Sequence, residues 1–173
     1  NGFSSLKYVG TTIGTSSHFD EYSLDIRGNY NLVDINGLQS LESADKLYLT
    51  HLSVLESLSG LENLQSVGTI AIGQTGQLTT LSALSSLTTS TDSVYIFQNS
   101  ALVELGLTNL SAVSTGMIKN NTALDSVLVD NLNAELSQGM YPPFEVCGNG
   151  YSDSFCNNPS LENYPGGPNS NQN

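Results

Sequence analysis

The sequence predicts a β-solenoid made of about five coils of 22–24 residues, with one short parallel strand per coil and a cap at both ends. Apolar residues recur at every third position over long stretches, and each stretch ends in an apolar-x-apolar pair. An amphipathic helix repeats every ~3.6 residues and a half-buried strand alternates, so neither produces sustained steps of three. Stacked coils do produce them, because each coil can bury its leucines only against its neighbours.

The apolar-x-apolar pairs mark the predicted strands. Their starts are 23, 23, 24 and 22 residues apart, and the second residue of each pair is followed six positions later by a leucine. A periodicity that survives such small changes in length indicates an internal repeat. The five pairs are Leu24/Ile26, Leu47/Leu49, Ile70/Ile72, Val94/Ile96 and Gly116/Ile118. In the last pair glycine occupies the first position and Met117 lies between the two residues.

One position, three residues after each apolar pair, is mostly polar. Asparagine occupies it in three coils, as Asn29, Asn99 and Asn121, whereas two middle coils carry Leu52 and Thr75. An asparagine that points inward at a turn can bond the backbone groups of adjacent coils and so satisfy buried polar atoms. The sequence therefore predicts an asparagine ladder that is interrupted in the middle of the solenoid.

The pattern L-x-[I/L]-x-x-N-x-x-L is followed by Gly37-Leu38-Gln39-Ser40-Leu41 in one coil and by Gly60-Leu61-Glu62-Asn63-Leu64 in the next. It resembles leucine-rich repeats, in particular the receptor L-domain type of receptor ectodomains and microbial cell-surface proteins. The resemblance covers about residues 24–136 and implies a solenoid with a role in surface recognition. The chain differs from the receptors in lacking their cysteine-rich N-terminal closure.

Three segments are predicted along the chain: an N-terminal cap at 1–23, the L-domain-like solenoid at 24–138, and a C-terminal cap with a Pro/Gly/Asn-rich tail at 139–173. Both cysteines, Cys147 and Cys156, lie in the last segment. A chain of secreted character favours a disulfide between them, which would close the final coil.

Composition excludes several classes of function. The chain has 173 residues with 16 acidic and 4 basic side chains, a formal net charge of −12. Nucleic-acid backbones and anionic bilayers both require clustered Lys and Arg, so neither is an expected partner. No apolar run reaches the ~18–20 residues that span a membrane, so membrane insertion is not expected. We expect an extracellular or cell-surface protein.

Catalysis has no support in the sequence. It contains no G-x-S-x-G, H-E-x-x-H or phosphate-binding motif, and neither His18 nor His51 lies near the cysteines. We therefore expect a protein that is not an enzyme, with no catalytic residue, no metal site and no cofactor.

Binding has a more concrete basis, because strand side chains alternate and the residues beside the inward pairs point outward. Three of the four basic residues fall on these outward positions, together with three large aromatic side chains. Exposed aromatic residues beside a few charges are typical of recognition surfaces. The predicted ligand-binding face consists of Arg27, Lys46, Tyr48, Tyr95, Phe97, Met117 and Lys119.

The expected function is therefore non-enzymatic recognition or adhesion, with a protein, a peptide or a surface glycan bound on this sheet face. The alternative is a structural subunit of a surface layer or extracellular filament that associates with copies of itself. Asn109 and Asn120 each begin an N-x-S/T sequon and are candidate glycosylation sites.

Overall fold

A computed structural model describes residues 5–10, 23–137 and 144–149. It confirms the predicted fold class, with a parallel β-solenoid of about four turns rather than five. The strands form one sheet in the order β1-β3-β4-β5-β6-β7, and β2 also pairs with β3. They are β1 (Tyr8–Val9), β2 (Ser23–Asp25), β3 (Ser43–Thr50), β4 (Ser66–Gly73), β5 (Thr89–Phe97), β6 (Ala112–Lys119) and β7 (Phe144–Cys147).

The four middle strands are eight or nine residues long, which is longer than the apolar-x-apolar pairs predict. Each contains an earlier half and a later half, joined at a corner where the register shifts in β4–β5 and β5–β6 pairing. In the first coil the halves are separate strands: β1 pairs with the early half of β3, and β2 pairs with its late half. Thirteen residues, 10–22, separate them in the sequence.

The leucines that recur in steps of three form the core, as predicted. Leu55, Leu61, Leu78, Leu81 and Leu102 are all completely buried, and they belong to a single hydrophobic cluster that runs through the stacked coils. In the first coil the equivalent apolar residues are only partly buried, because no described coil packs on their outer side.

The segment that corresponds to the G-L-x-x-L motif has two conformations, which alternate from one coil to the next. It forms a 3-10 helix at Asn36–Leu38 and again at Ser82–Leu84. In the coils that follow these helices, Gly60 and Gly106 have φ of +112° and +62°. A Cβ atom at either glycine would overlap backbone atoms of the preceding coil. Tight glycine turns therefore stack directly on the 3-10 turns.

The asparagine ladder exists and continues beyond its predicted end. Asn99 Nδ2 donates to the Ile72 carbonyl oxygen at 3.1 Å and to Asn121 Oδ1 at 3.1 Å, and Asn121 in turn donates to Asn149 Oδ1. The predicted interruption at Thr75 is wrong, because the Thr75 hydroxyl group joins the ladder by donating to Asn99 Oδ1 at 2.7 Å. All four side chains are buried, so the ladder satisfies polar groups at the bend of each coil.

Asn29 does not belong to this ladder, contrary to the prediction. It is exposed, and its Nδ2 donates to the Arg27 carbonyl oxygen of its own coil at 3.2 Å. The physical reason is that the next coil carries Leu52 at the equivalent position, and leucine has no hydrogen-bonding group to offer.

A helix that the steps of three do not predict follows the last full coil. Helix α1 spans Ser126–Ser137, and Asp125 caps it by accepting a hydrogen bond from the Val127 N–H at 3.0 Å. The buried Asn133 binds both backbone groups of Phe144, which fixes the start of β7. In the part of the chain that the structure describes, no helix is long and apolar enough to cross a membrane.

The C-terminal segment adds β7 to the sheet beside β6. Phe144 lies next to Gly116 on β6, and its ring fills the space where a side chain at 116 would lie. Cys147 is buried at the end of β7. The predicted Cys147–Cys156 disulfide stays a prediction, because Cys156 lies outside the described residues.

Candidate recognition face

The side of the sheet that points away from the leucine core is here called the outer face. Its central row contains residues that are partners in register on neighbouring strands: Tyr48, Ala71, Tyr95 and Met117. A second row, two residues further along each strand, contains Thr50, Gly73, Phe97 and Lys119. The outward positions named by the sequence pattern are therefore adjacent across the sheet.

A second apolar cluster lies on this outer face, separate from the leucine core. Ala71, Phe97 and Met117 are its buried members, and Tyr48 and Tyr95 pack against them while remaining partly exposed. Ala71 sits between the two tyrosines, so its small side chain forms the floor between the two rings.

Phe97 and Met117 were expected to be exposed, and the structure corrects this: their exposed fractions are 0% and 1%. The physical reason for Phe97 is the glycine beside it. A Cβ atom at Gly73 would lie 2.6 Å from Phe97 Cε1, so the ring lies flat across β4. The contact area that the apolar cluster offers therefore comes mainly from Tyr48 and Tyr95.

The basic residues of the face lie at its margins. Arg27 forms an ion pair with Asp25, with Nε at 2.7 Å from Oδ1, and its guanidinium carbon lies 5.4 Å from the centre of the Tyr48 ring. The hydrogen bond to Asp25 raises the pKa of Arg27, so the guanidinium stays charged at any ordinary pH. Lys46 and Lys119 are partly buried, at the beginning of the late half of β3 and at the end of β6.

A second ion pair lies beside β1, outside the predicted face. Lys7 Nζ lies 2.6 Å from Glu42 Oε1, and the Tyr8 hydroxyl group donates to Glu42 Oε2 at 3.0 Å. The hydrogen bond from Lys7, followed by that from Tyr8, lowers the pKa of Glu42. The pair places charged side chains at the edge of the sheet. Because these groups are exposed, the ion pair adds little to stability.

Sequence reasoning missed one row of residues at the carboxyl ends of the strands. His51, Gln74, Gln98 and Asn120 all have left-handed backbone conformations, with φ between +53° and +57°. They are called the amide row, since three of the four carry a side-chain amide. Each backbone N–H donates to a carbonyl oxygen of the next coil at 2.8–3.1 Å. The sequence does locate these residues, because each of them directly precedes the repeat position that asparagine occupies in three coils.

The amide row has glycine at both of its ends. Gly28 and Gly148 occupy the equivalent positions in the first and last coils, with φ of +69° and +64°. The turn therefore does not require a side chain.

Within the row, Gln74 Oε1 is buried and has no hydrogen-bond partner, and His51 Nδ1 lies 3.2 Å from the Thr50 hydroxyl oxygen.

The two candidate glycosylation sites lie in different environments. Asn109 is exposed in a turn, and its Nδ2 donates to the Ser85 carbonyl oxygen at 2.7 Å. Asn120 is partly buried in the amide row. Modification of either residue stays a prediction. Among the described residues, no group of three or more His, Cys, Asp and Glu side chains could hold a metal ion.

Comparison of the chain with protein-family models, with curated proteins and with solved structures finds no match. The fold is therefore established by the structure as a parallel β-solenoid, and the leucine-rich-repeat and L-domain assignment stays a prediction from the sequence pattern.

Proposed function

We propose that this protein is an extracellular, non-enzymatic recognition or adhesion module that binds a protein, a peptide or a glycan through its outer face. We further propose that the solenoid is a leucine-rich repeat of the receptor L-domain type, closed at its C-terminal end by the Cys147–Cys156 disulfide.

One observation carries the proposal: an apolar cluster lies on the outer face, outside the core that holds the coils together. The leucines already stack the coils, so fold stability does not explain half-exposed tyrosine rings above a floor of buried apolar residues. Aromatic side chains that are half buried in such a cluster are the usual anchors of binding surfaces. Arg27 stacks on Tyr48 and holds that ring in place from one side.

Replacing both Tyr48 and Tyr95 by alanine should weaken binding at least about 30-fold, because each anchor removed from a recognition surface costs of the order of 1–2 kcal/mol. The measurement is binding of the labelled protein to intact cells of the producing organism and to an array of immobilised glycans and proteins.

Tyr30→Ala is the matched control, because Tyr30 is 61% exposed and lies off the outer face. It should bind as the unmodified protein does. Equal binding by the double variant and the unmodified protein would contradict the proposal, and so would a failure of the unmodified protein to bind any surface.

One observation favours self-association as the second candidate function. In the first coil, at the end of the described part of the solenoid, Leu24, Ile26 and Leu32 line a groove of about 390 Å³ whose lining is mainly apolar. A second copy stacked on this end would cover it. Sedimentation of the purified chain over a range of concentrations separates the two functions: a recognition module stays monomeric, whereas a filament subunit assembles as concentration rises.

A further inference from the structure

We infer that the ligand of the outer face is a neutral, extended glycan, which stacks on Tyr48 and Tyr95 and forms hydrogen bonds with the amide row. This inference rests on the proposed function, because it names the chemical class that the same face recognises.

The spacing of the two tyrosines fits a chain of sugar rings. Tyr48 and Tyr95 lie in register on β3 and β5, with only Ala71 between them. Neighbouring strands are about 4.8 Å apart, so the two rings are separated by about 9.6 Å. This separation is close to the length of two sugar residues in an extended glycan. The two rings can therefore stack on alternate sugars, whose C–H faces are apolar.

The amide row supplies the polar half of such a site. His51 and Gln98 each follow one of the two tyrosines by three residues, and Gln74 directly follows β4, the strand between them. A planar amide has both a donor and an acceptor, which matches a pair of adjacent sugar hydroxyl groups. Gln74 Oε1 is buried, so the amide of the row that is accessible to a sugar hydroxyl group is that of the exposed Gln98.

The backbone of the amide row supports a binding role. Left-handed conformations are unfavourable for glutamine, which occupies two of the four positions, whereas asparagine and histidine adopt them more readily. The end coils avoid that strain with Gly28 and Gly148. The four central coils instead keep polar side chains there, although the N–H that each donates to the next coil is available to glycine as well. Strained positions that persist where glycine is allowed are typical of functional sites.

The charges favour a neutral glycan over an acidic one. The guanidinium of Arg27 is neutralised by Asp25. Lys46 and Lys119, the other basic residues of the face, lie at its margins and are partly buried. The whole chain carries a formal net charge of −12, which repels a polyanion.

The experiment is isothermal titration calorimetry with cellohexaose, chitohexaose and laminarihexaose, three neutral hexasaccharides. At least one should bind, and affinity should rise with length up to about four sugars, since the row crosses four strands and spans about 14 Å. An acidic oligogalacturonate of the same length should bind at least tenfold more weakly. The double variant Gln74→Gly/Gln98→Gly should weaken hexasaccharide binding at least tenfold while its melting temperature does not fall.

Gln77→Gly is the matched control, because Gln77 is an exposed glutamine in a turn outside the row; it should leave binding unchanged. Unchanged binding by the Gln74→Gly/Gln98→Gly variant would overturn the role of the amide row. Equal or tighter binding of oligogalacturonate would overturn the neutral class.

The two proposals fail in different ways. If none of the neutral hexasaccharides binds, but the Tyr48→Ala/Tyr95→Ala variant still loses binding to cells, the outer face recognises another class of ligand and only the glycan inference is wrong. If the tyrosine variant binds cells as the unmodified protein does, the proposed function itself is wrong.

Discussion

Replacing Asn121 by leucine should lower the free energy of unfolding by about 3–5 kcal/mol, since each buried polar group left without a partner costs about 1–3 kcal/mol. The Asn121 side chain accepts hydrogen bonds from the Asn99 backbone N–H and side-chain amide, and it donates to the Ile96 carbonyl oxygen and to Asn149. Leucine has the same branched skeleton of four side-chain heavy atoms, so most of the loss comes from hydrogen bonding. Equilibrium unfolding in urea measures it.

Asn29→Leu is the control, because Asn29 occupies the same repeat position but is exposed and outside the ladder. It should change the free energy of unfolding by less than about 0.5 kcal/mol, as is usual for surface substitutions. Similar losses for Asn29→Leu and Asn121→Leu would mean that the repeat position matters for a reason other than the buried bonds.

Replacing Gly60 or Gly106 by alanine should cost about 3 kcal/mol or more, because two penalties add. The first is the positive φ of both residues, which L side chains adopt at a cost of about 1–2 kcal/mol. The second is steric: a Cβ atom at Gly106 would lie 2.6 Å from the Ser82 backbone nitrogen, and one at Gly60 would overlap the Ile35 carbonyl oxygen. Thermal unfolding followed by circular dichroism tests both variants.

Gly37→Ala is the matched control within the same motif. Gly37 lies in the first 3-10 helix, and a Cβ atom there would meet nothing within 4 Å. Alanine should therefore be neutral or slightly stabilising, because it reduces the conformational entropy of the unfolded chain. A destabilisation by Gly37→Ala as large as that by Gly60→Ala would show that the alternation of the coils is not the reason for the cost.

The sequence predicted the solenoid, its strand positions and its core, because steps of three and apolar-x-apolar pairs are periodic signals that no single helix or strand produces. The helix α1 was missed although Val129, Leu132 and Leu136 lie three and four residues apart, the spacing of an amphipathic helix. The helix has only twelve residues, so its periodic pattern is weak in comparison with that of the leucines, which repeats through four coils.

The candidate face could be predicted only in part. Strand alternation placed Tyr48, Tyr95, Phe97 and Met117 on one side of the sheet, but alternation carries no information on burial within that side. The burial of Phe97 depends on Gly73 on the neighbouring strand, which is a contact between residues 24 positions apart. The left-handed row was missed for a related reason: its conformation is imposed by the turn, and glutamine, which occupies two of its four positions, has no preference for that conformation.

The corner between the two halves of each strand has a practical consequence. Between Val9 and Leu24 the first coil carries 12 residues more than the second coil carries between Ala44 and Leu47, yet both halves keep their pairing with β3. In β5 the same corner takes up one extra residue, Thr91 or Asp92, without loss of pairing on either side. Chain length at this corner is thus decoupled from the stacking of the coils. The corner of β6, where Ser114 is exposed, is accordingly the place to graft a foreign peptide loop onto this scaffold.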